Sequence, residues 1–246
     1  THTDRATQKG KVQDDGEGGK WLSVPMVDQG EKGYCAAATL ERVLRFYGAE
    51  VDQHLLADLA DTDAQGGTSS LALKAAIDRT ARVFGIRRRD CAVPDPLVDE
   101  RAHNNYDRAA KKLHRPTLPR PIQQGNGVKI FPMAGLDEEV LRLARSKEKG
   151  FKTFQREVKE AIDQGRPLMW GVMLFRNGQY AGGHMRLIVG YNEGKGYIYF
   201  SDSWGGGYER EATSYEAAWA MTSLLIELVP KNAAMPGAAA ARTFAR

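Results

Sequence analysis

Two parts of this 246-residue chain hold side chains whose types and spacing suit nucleophilic attack on a carbonyl carbon. In the first, Gln29-Gly30-Glu31-Lys32-Gly33-Tyr34-Cys35, two glycines make a turn that leads into an amphipathic helical run. Cys35 would occupy the first turn of that helix, where free N–H groups and the helix dipole favour an anion. The thiolate is the reactive form of cysteine, so the place suits a nucleophile. In the second, the pair Gly182-Gly183 leads into His184 at the mouth of an apolar strand, and Ser201-Asp202-Ser203-Trp204-Gly205 ends the next strand. A hairpin through Asn192–Gly196 would bring Asp202 beside His184. A carboxylate there fixes the imidazole tautomer and supports its charged form. Gln29 adds a side-chain amide that, with the backbone N–H of Cys35, could face the oxygen of a tetrahedral intermediate. Singly, each residue has a plain structural reading: Cys35 as a small buried hydrophobe, His184 as a packed ring, Asp202 as a turn residue. Together they fill the roles of nucleophile, base, orienter and oxyanion donor.

The elements that must position these groups follow from periodicity. Leu40, Val43, Leu44 and Tyr47 recur at helical spacing after Cys35, and Gly48 stops the run. Asp52 can cap a short helix through Leu59, and Thr68, Ser69 or Ser70 can start another that ends at Gly85. Prolines at 94, 96, 116, 119, 121 and 132 break up residues 86–135, where only a helix near Glu100–Leu113 is expected. Helical stretches follow at Asp137–Lys147 and Lys152–Gln164. The period then changes. Pro167–Leu174, Met185–Tyr191, Tyr197–Ser201 and Ser223–Val229 read as strands of an antiparallel meander, with RNGQYAGG and NEGKG as turn-rich connections. Helices first and strands later predict an α+β fold with a cleft between the two parts. Residues 1–20 read as a flexible lead-in, 21–230 as one domain carrying a variable basic insertion at 86–135, and 231–246 as a mobile Ala-rich tail.

Composition narrows the partners. Apolar residues make up 42% and charged residues 27%, an ordinary globular balance. No apolar run is long enough to span a membrane, and no signal-peptide core is visible near Thr1; removal of such a segment would point to a secreted or periplasmic protein. Of the net charge of +4, the segment from Arg79 to Arg120 holds 11 Lys/Arg against 5 Asp/Glu. The plain reading is a solvated basic insertion, the sharper one a patch for an acidic ligand. No nucleic-acid motif accompanies it, so nucleic acid is not expected as a partner. The two cysteines, Cys35 and Cys91, exclude a disulfide framework but allow one bridge, which would consume the nucleophile; Cys91 is expected as a free or buried thiol. Scattered histidines give no zinc pattern, and no cofactor is expected.

These motifs resemble the papain-like cysteine peptidases, in which Gln, five residues and Cys open a helix, a later Gly-His opens a strand, and an Asn-Ser-Trp-Gly segment follows. The corresponding stretches are QGEKGYCAAATLERVLRFYG, GGHMRLIVGYN and SDSWGGG, and His184 follows Cys35 by 149 positions, within the ~130–150 of that arrangement. VPMVDQ, RFYG and the aspartate at 202 bring the chain closest to the bacterial C39-like branch, as does the helix before GRPLMWGVM. The resemblance covers roughly residues 21–229. It implies a papain-like fold and thiol hydrolysis of peptide or protein substrates. It assigns Gln29 to the oxyanion hole, Cys35 as nucleophile, His184 as general base and acid, and Asp202 as orienter. Trp204 would shield the His184–Asp202 contact, with Gly183 beside it on the substrate side. Two alternatives share the scaffold: a non-catalytic binding module for an acidic partner, and acyl transfer of the transglutaminase kind. The branch includes transporter domains that cut after double-glycine leaders; those are shorter between Cys and His, so that activity is not expected here.

Overall fold

The computed structural model of the chain describes residues 8–31, 33–59, 70–92, 100–123, 129–130, 132–146 and 148–231. The predicted α+β layout is what it shows: a helical first half whose Cys35 helix packs on an antiparallel sheet built mainly by the second half.

Helix α1 (Cys35–Phe46) is buried along almost its whole length, with Leu40, Val43 and Leu44 in the main core. It ends as Gly48 requires. At φ +90° that residue donates to Arg45 O, and Ala49 donates to Leu44 O, a pair of bonds that closes a helix through a left-handed glycine. Helices α2 (Gln53–Leu59), α3 (Ser70–Val83), α4 (Glu100–Lys112), α5 (Glu138–Arg145) and α6 (Gly150–Asp163) fall within a few residues of their sequence expectations. Asp137 caps α5 by accepting from the N–H groups of Glu139 and Val140. The alternative helix starts Thr68 and Ser69, the prolines at 94 and 96, and the ends of the chain (1–7 and 232–246) lie outside the described residues.

Strands β6 (Leu168–Arg176), β7 (Gln179–Asn192), β8 (Tyr197–Ser201) and β9 (Glu211–Ser214) form the meander. After α7 (Tyr215–Met221), β10 (Thr222–Pro230) returns to pair with β6. Leu187 and Ile188 pair with both β6 and β8, so β7 is the central strand that carries the site. Strand β7 begins earlier than its apolar run suggests. Asn177 and Gly178, at φ +52° and +77°, make a two-residue turn, the geometry that Asn-Gly adopts most readily between antiparallel strands. The glycine pair at 182–183 therefore lies inside the strand and not in a turn.

The described part of the expected lead-in contributes two short strands. β1 (Val12–Asp14) pairs with β2 (Gly19–Leu22), and β2 adds to the end of β7. Asp15 makes the turn between them by accepting from the N–H groups of Glu17 and Gly19. At Gly190 a Cβ would meet Lys20 O at 2.4 Å, so only glycine lets β2 approach. The start of the expected insertion is likewise part of the sheet: β3 (Ile86–Asp90) pairs with β10 at its edge. Its sequence IRRRD lacks apolar alternation because charge suits an edge strand. A separate two-stranded ribbon joins β4 (Ile122–Gln123) to β5 (Lys129–Ile130).

The rest of the described insertion has a core of its own. Tyr106, Ala109, Ala110 and Leu118 pack with Leu136, Val140, Leu141 and Met173. Val172 is the cross-strand partner of His184 and Met173 that of Gly183. Side chains alternate along a strand, so Met173 and the helix packed on it occupy the face of the sheet opposite to His184. Among the described residues, this part of the insertion packs on the face away from Cys35.

Candidate active site

Cys35, a free and partly buried thiol, opens α1. Four and seven residues on, Thr39 and Arg42 share its face of the helix. Thr39 Oγ1 donates to Met185 O at 3.4 Å. Arg42 is fully buried and donates from Nε to Pro25 O at 3.0 Å, from Nη1 to Asp202 O at 2.9 Å and from Nη2 to Ser201 Oγ at 2.5 Å. One side chain thus ties the cysteine helix to the segment before Gln29 and to the end of β8. Burial lowers the Arg42 guanidinium to about 10 against the pull of Asp202 and Glu209.

The register of β7 and β8 brings the other groups together. Leu187 pairs with Ser201, so Asp202 continues past the strand end alongside Arg186 and His184. His184 Nε2 donates to Asp202 Oδ1 at 2.6 Å. The Cys35 thiol lies close enough to the ring to favour its charged form; with Nε2 engaged by Asp202, Nδ1 is the nitrogen left for the sulfur. Burial opposes protonation of His184, but Asp202 and then Cys35 outweigh it and raise the ring from 6.5 to about 9. Asp202 is 0% exposed. Burial pushes its carboxyl up, yet His184 and then Arg186 bring it below the usual carboxylate value.

Gln29 stands across from this pair. Its backbone N–H donates to Ser203 O at 2.8 Å, and its Oε1 accepts from Ser203 Oγ at 2.7 Å. With Oε1 held in this way, the amide nitrogen is the end free to donate. Trp204 lies over the His184 ring, centroids 5.1 Å apart and planes inclined 22°, while remaining 42% exposed. Gly183 is exposed at the adjoining position, and a Cβ there would meet nothing nearer than Val172 O at 4.0 Å. All six residues expected from the sequence are therefore described, and Cys35, His184, Asp202, Gln29 and Trp204 fall into one constellation. Cys91 is buried and free, pushed up to about 12 by burial, and no disulfide joins it to Cys35.

Sequence reasoning missed Arg42, Arg186 and Ser203. Arg186 Nε donates to Asp202 Oδ2 at 2.7 Å, and its guanidinium lies 4.8 Å from the Phe200 ring centre and 5.7 Å from that of Trp204. The signals existed: Arg42 is a charge on an apolar helix face seven residues from Cys35, and Arg186 is two residues from His184, hence on the same strand face. In the basic segment, Arg88 pairs with Asp78 and Asp90, Arg89 with Glu157 and Glu227, and Arg115 with Asp137 and Glu139. Part of its charge is therefore neutralised within the molecule. Among the described residues, no helix is long and apolar enough to cross a membrane, and no three His, Cys, Asp or Glu side chains are grouped to hold a metal.

Residues 139–225 match the model of the Peptidase_C39 like family. The matched stretch, about a third of the chain, contains His184 and Asp202 and leaves Cys35 and Gln29 outside it. That stretch is thus similar to the C39-like peptidases. Among solved structures, the peptidase domain of Streptococcus ComA, a bi-functional ABC transporter involved in a quorum sensing pathway, is 15% identical, with 85% of this chain and 97% of that one covered and a TM-score of 0.43. Xylellain, a cysteine protease from Xylella fastidiosa, is 12% identical over 92% of this chain and 89% of its own, with a TM-score of 0.47. A double glycine motif protease from an AMS/PCAT transporter, in complex with the leader peptide, is 14% identical over 85% and 92%, with a TM-score of 0.40. No curated protein matches the chain.

Proposed function

We propose that the chain cleaves peptide or amide bonds through a Cys-His-Asp triad and an acyl-enzyme. The observation that carries this reading is the His184–Asp202 hydrogen bond, with Cys35 at the start of α1 close enough to the ring to favour its charged form. Cys35 attacks the substrate carbonyl as the thiolate, beside an imidazolium held by Asp202. His184 then gives its proton to the leaving amine, and in the second half takes one from the water that releases the acid. The Gln29 amide nitrogen and the Cys35 backbone N–H receive the negative charge that forms on the carbonyl oxygen. Asp202 keeps Nε2 protonated and the ring in plane, while Trp204 covers the ring against water and Gly183 leaves room beside it for substrate.

The test is labelling under reducing conditions with iodoacetamide or an epoxide inhibitor of cysteine proteases, with the adduct mapped by mass spectrometry. The expected result is modification at Cys35 and turnover of a peptide library that Cys35→Ala abolishes. A native protein that neither labels at Cys35 nor cleaves would refute the proposal. Amine incorporation exceeding hydrolysis would move the activity to acyl transfer, since both share the acyl-enzyme.

A further inference from the structure

We propose that Arg186 is a positioning residue of this site, which holds the second oxygen of the Asp202 carboxylate, sets its plane and shares its charge, so that His184 is oriented without being locked as imidazolium. Its consequence for turnover rests on the cysteine-hydrolase reading; its effect on the His184 ring does not.

The argument begins with the division of the carboxylate. Oδ1 accepts from His184 Nε2 and from the Ser203 N–H at 2.8 Å, while Oδ2 accepts from Arg186 Nε. The two oxygens therefore serve different partners. The guanidinium lies against Phe200 and Trp204, and Trp204 stacks on His184. Arg186 thus reaches the ring by two routes, through the carboxylate and through the indole.

A second consideration separates charge-sharing from simple anchoring. Asp202 does not depend on Arg186 alone for its position. Its N–H donates to Tyr208 O at 3.0 Å, its carbonyl accepts from Arg42, and Ser203 N–H holds Oδ1. What Arg186 adds is a fixed positive charge on the second oxygen of a fully buried carboxylate. Among the described residues, the titratable and charged groups that face His184 or its partner are Cys35 from α1, Asp202 from the end of β8, Arg186 from β7 behind it, and Arg42 from α1 on the Asp202 carbonyl with Glu209 facing it. Without Arg186 the whole carboxylate charge would act on the imidazole and hold its proton more tightly. A general acid must release that proton to the leaving amine, so an overstabilised imidazolium is a poorer catalyst.

The test uses Arg186→Met, which removes charge and contact, Arg186→Gln, which keeps a donor without the charge, and Arg186→Lys, which keeps the charge. The His184 ring is titrated by NMR with labelled histidine, and kcat and KM are measured against pH. In the Met and Gln variants the His184 titration and the alkaline limb of kcat/KM should rise by about one pH unit, the scale of one nearby charge, with the loss in kcat and little change in KM. Arg186→Lys should return the titration to its native position. A titration that stays in place, or falls, in the Gln variant would overturn the proposal, and that variant carries the test if the Met variant does not fold. Should the native protein lack turnover, the hydrolase reading fails while the ring titration still decides the role of Arg186.

Discussion

Replacing Asp202 by asparagine removes one charge and almost no volume, so it isolates the electrostatic link in the site. His184 is raised from 6.5 to about 9 with Asp202 as the leading favourable partner. That gap corresponds to roughly 3 kcal/mol of preference for the charged ring, at ~1.4 kcal/mol per unit. The sign follows from linkage. A histidine raised on folding contributes stability that is full below 6.5 and is lost as pH rises through about 9. Asp202, lowered on folding, contributes above its ordinary value and loses that contribution as pH falls below it. Between pH 5 and 6.5 both are present, and Asp202→Asn should cost up to about 3 kcal/mol in urea unfolding. The His184 share of that cost should fade toward pH 9.5. Geometry adds a second expectation. The asparagine oxygen must stay at Oδ1, where His184 and Ser203 donate, which turns its NH2 toward the Arg186 N–H. Two donors would then face each other at the 2.7 Å now occupied by a hydrogen bond. Arg186→Met should therefore recover part of the loss when combined with Asp202→Asn, although it is harmful alone. Unfolding free energies over pH 5–9.5 for the four proteins of this cycle are the assay. A cost that does not change with pH, or a double variant worse than the sum of the single ones, would refute the coupling.

Other outcomes follow from the same coordinates. At pH 7 iodoacetamide should modify Cys35 and leave Cys91 untouched, since Cys91 is buried and pushed up to about 12; intact-mass and peptide mapping in the native state read this directly. Gln29→Ala should lower kcat by about 10²–10³-fold, as loss of an oxyanion donor does, whereas Ser203→Ala, which only frees the amide to turn, should cost less; stopped-flow acylation rates separate the two. Tyr47→Phe leaves Leu228 O without the donor now at 2.7 Å and should destabilise by about 1–3 kcal/mol, with kcat/KM unchanged at temperatures where the variant is folded. Gly190→Ala would drive a methyl into Lys20 O; hydrogen exchange should show β2 released from β7.

The sequence by itself determined the helices and the switch to an antiparallel meander, and singled out four candidate site residues. It could do so because those signals are local. A thiol at a helix start, a helix ended by Gly48 and an apolar strand after His184 each depend on neighbours within a few positions. Where the signal was not local, only the tertiary structure decided. The strands at 12–14, 19–22 and 86–90 are too short or too charged to announce themselves, and exist because β2, β7 and β10 respectively offer edges to pair with. The helix at 100–112 fell behind the sheet because Met173 faces away from His184, a matter of strand parity that required the register. Arg42, Arg186 and Ser203 read as ordinary helix, strand and turn residues. Their importance arises only when folding buries Asp202 completely, for a carboxylate without water must find every partner among the protein's own donors.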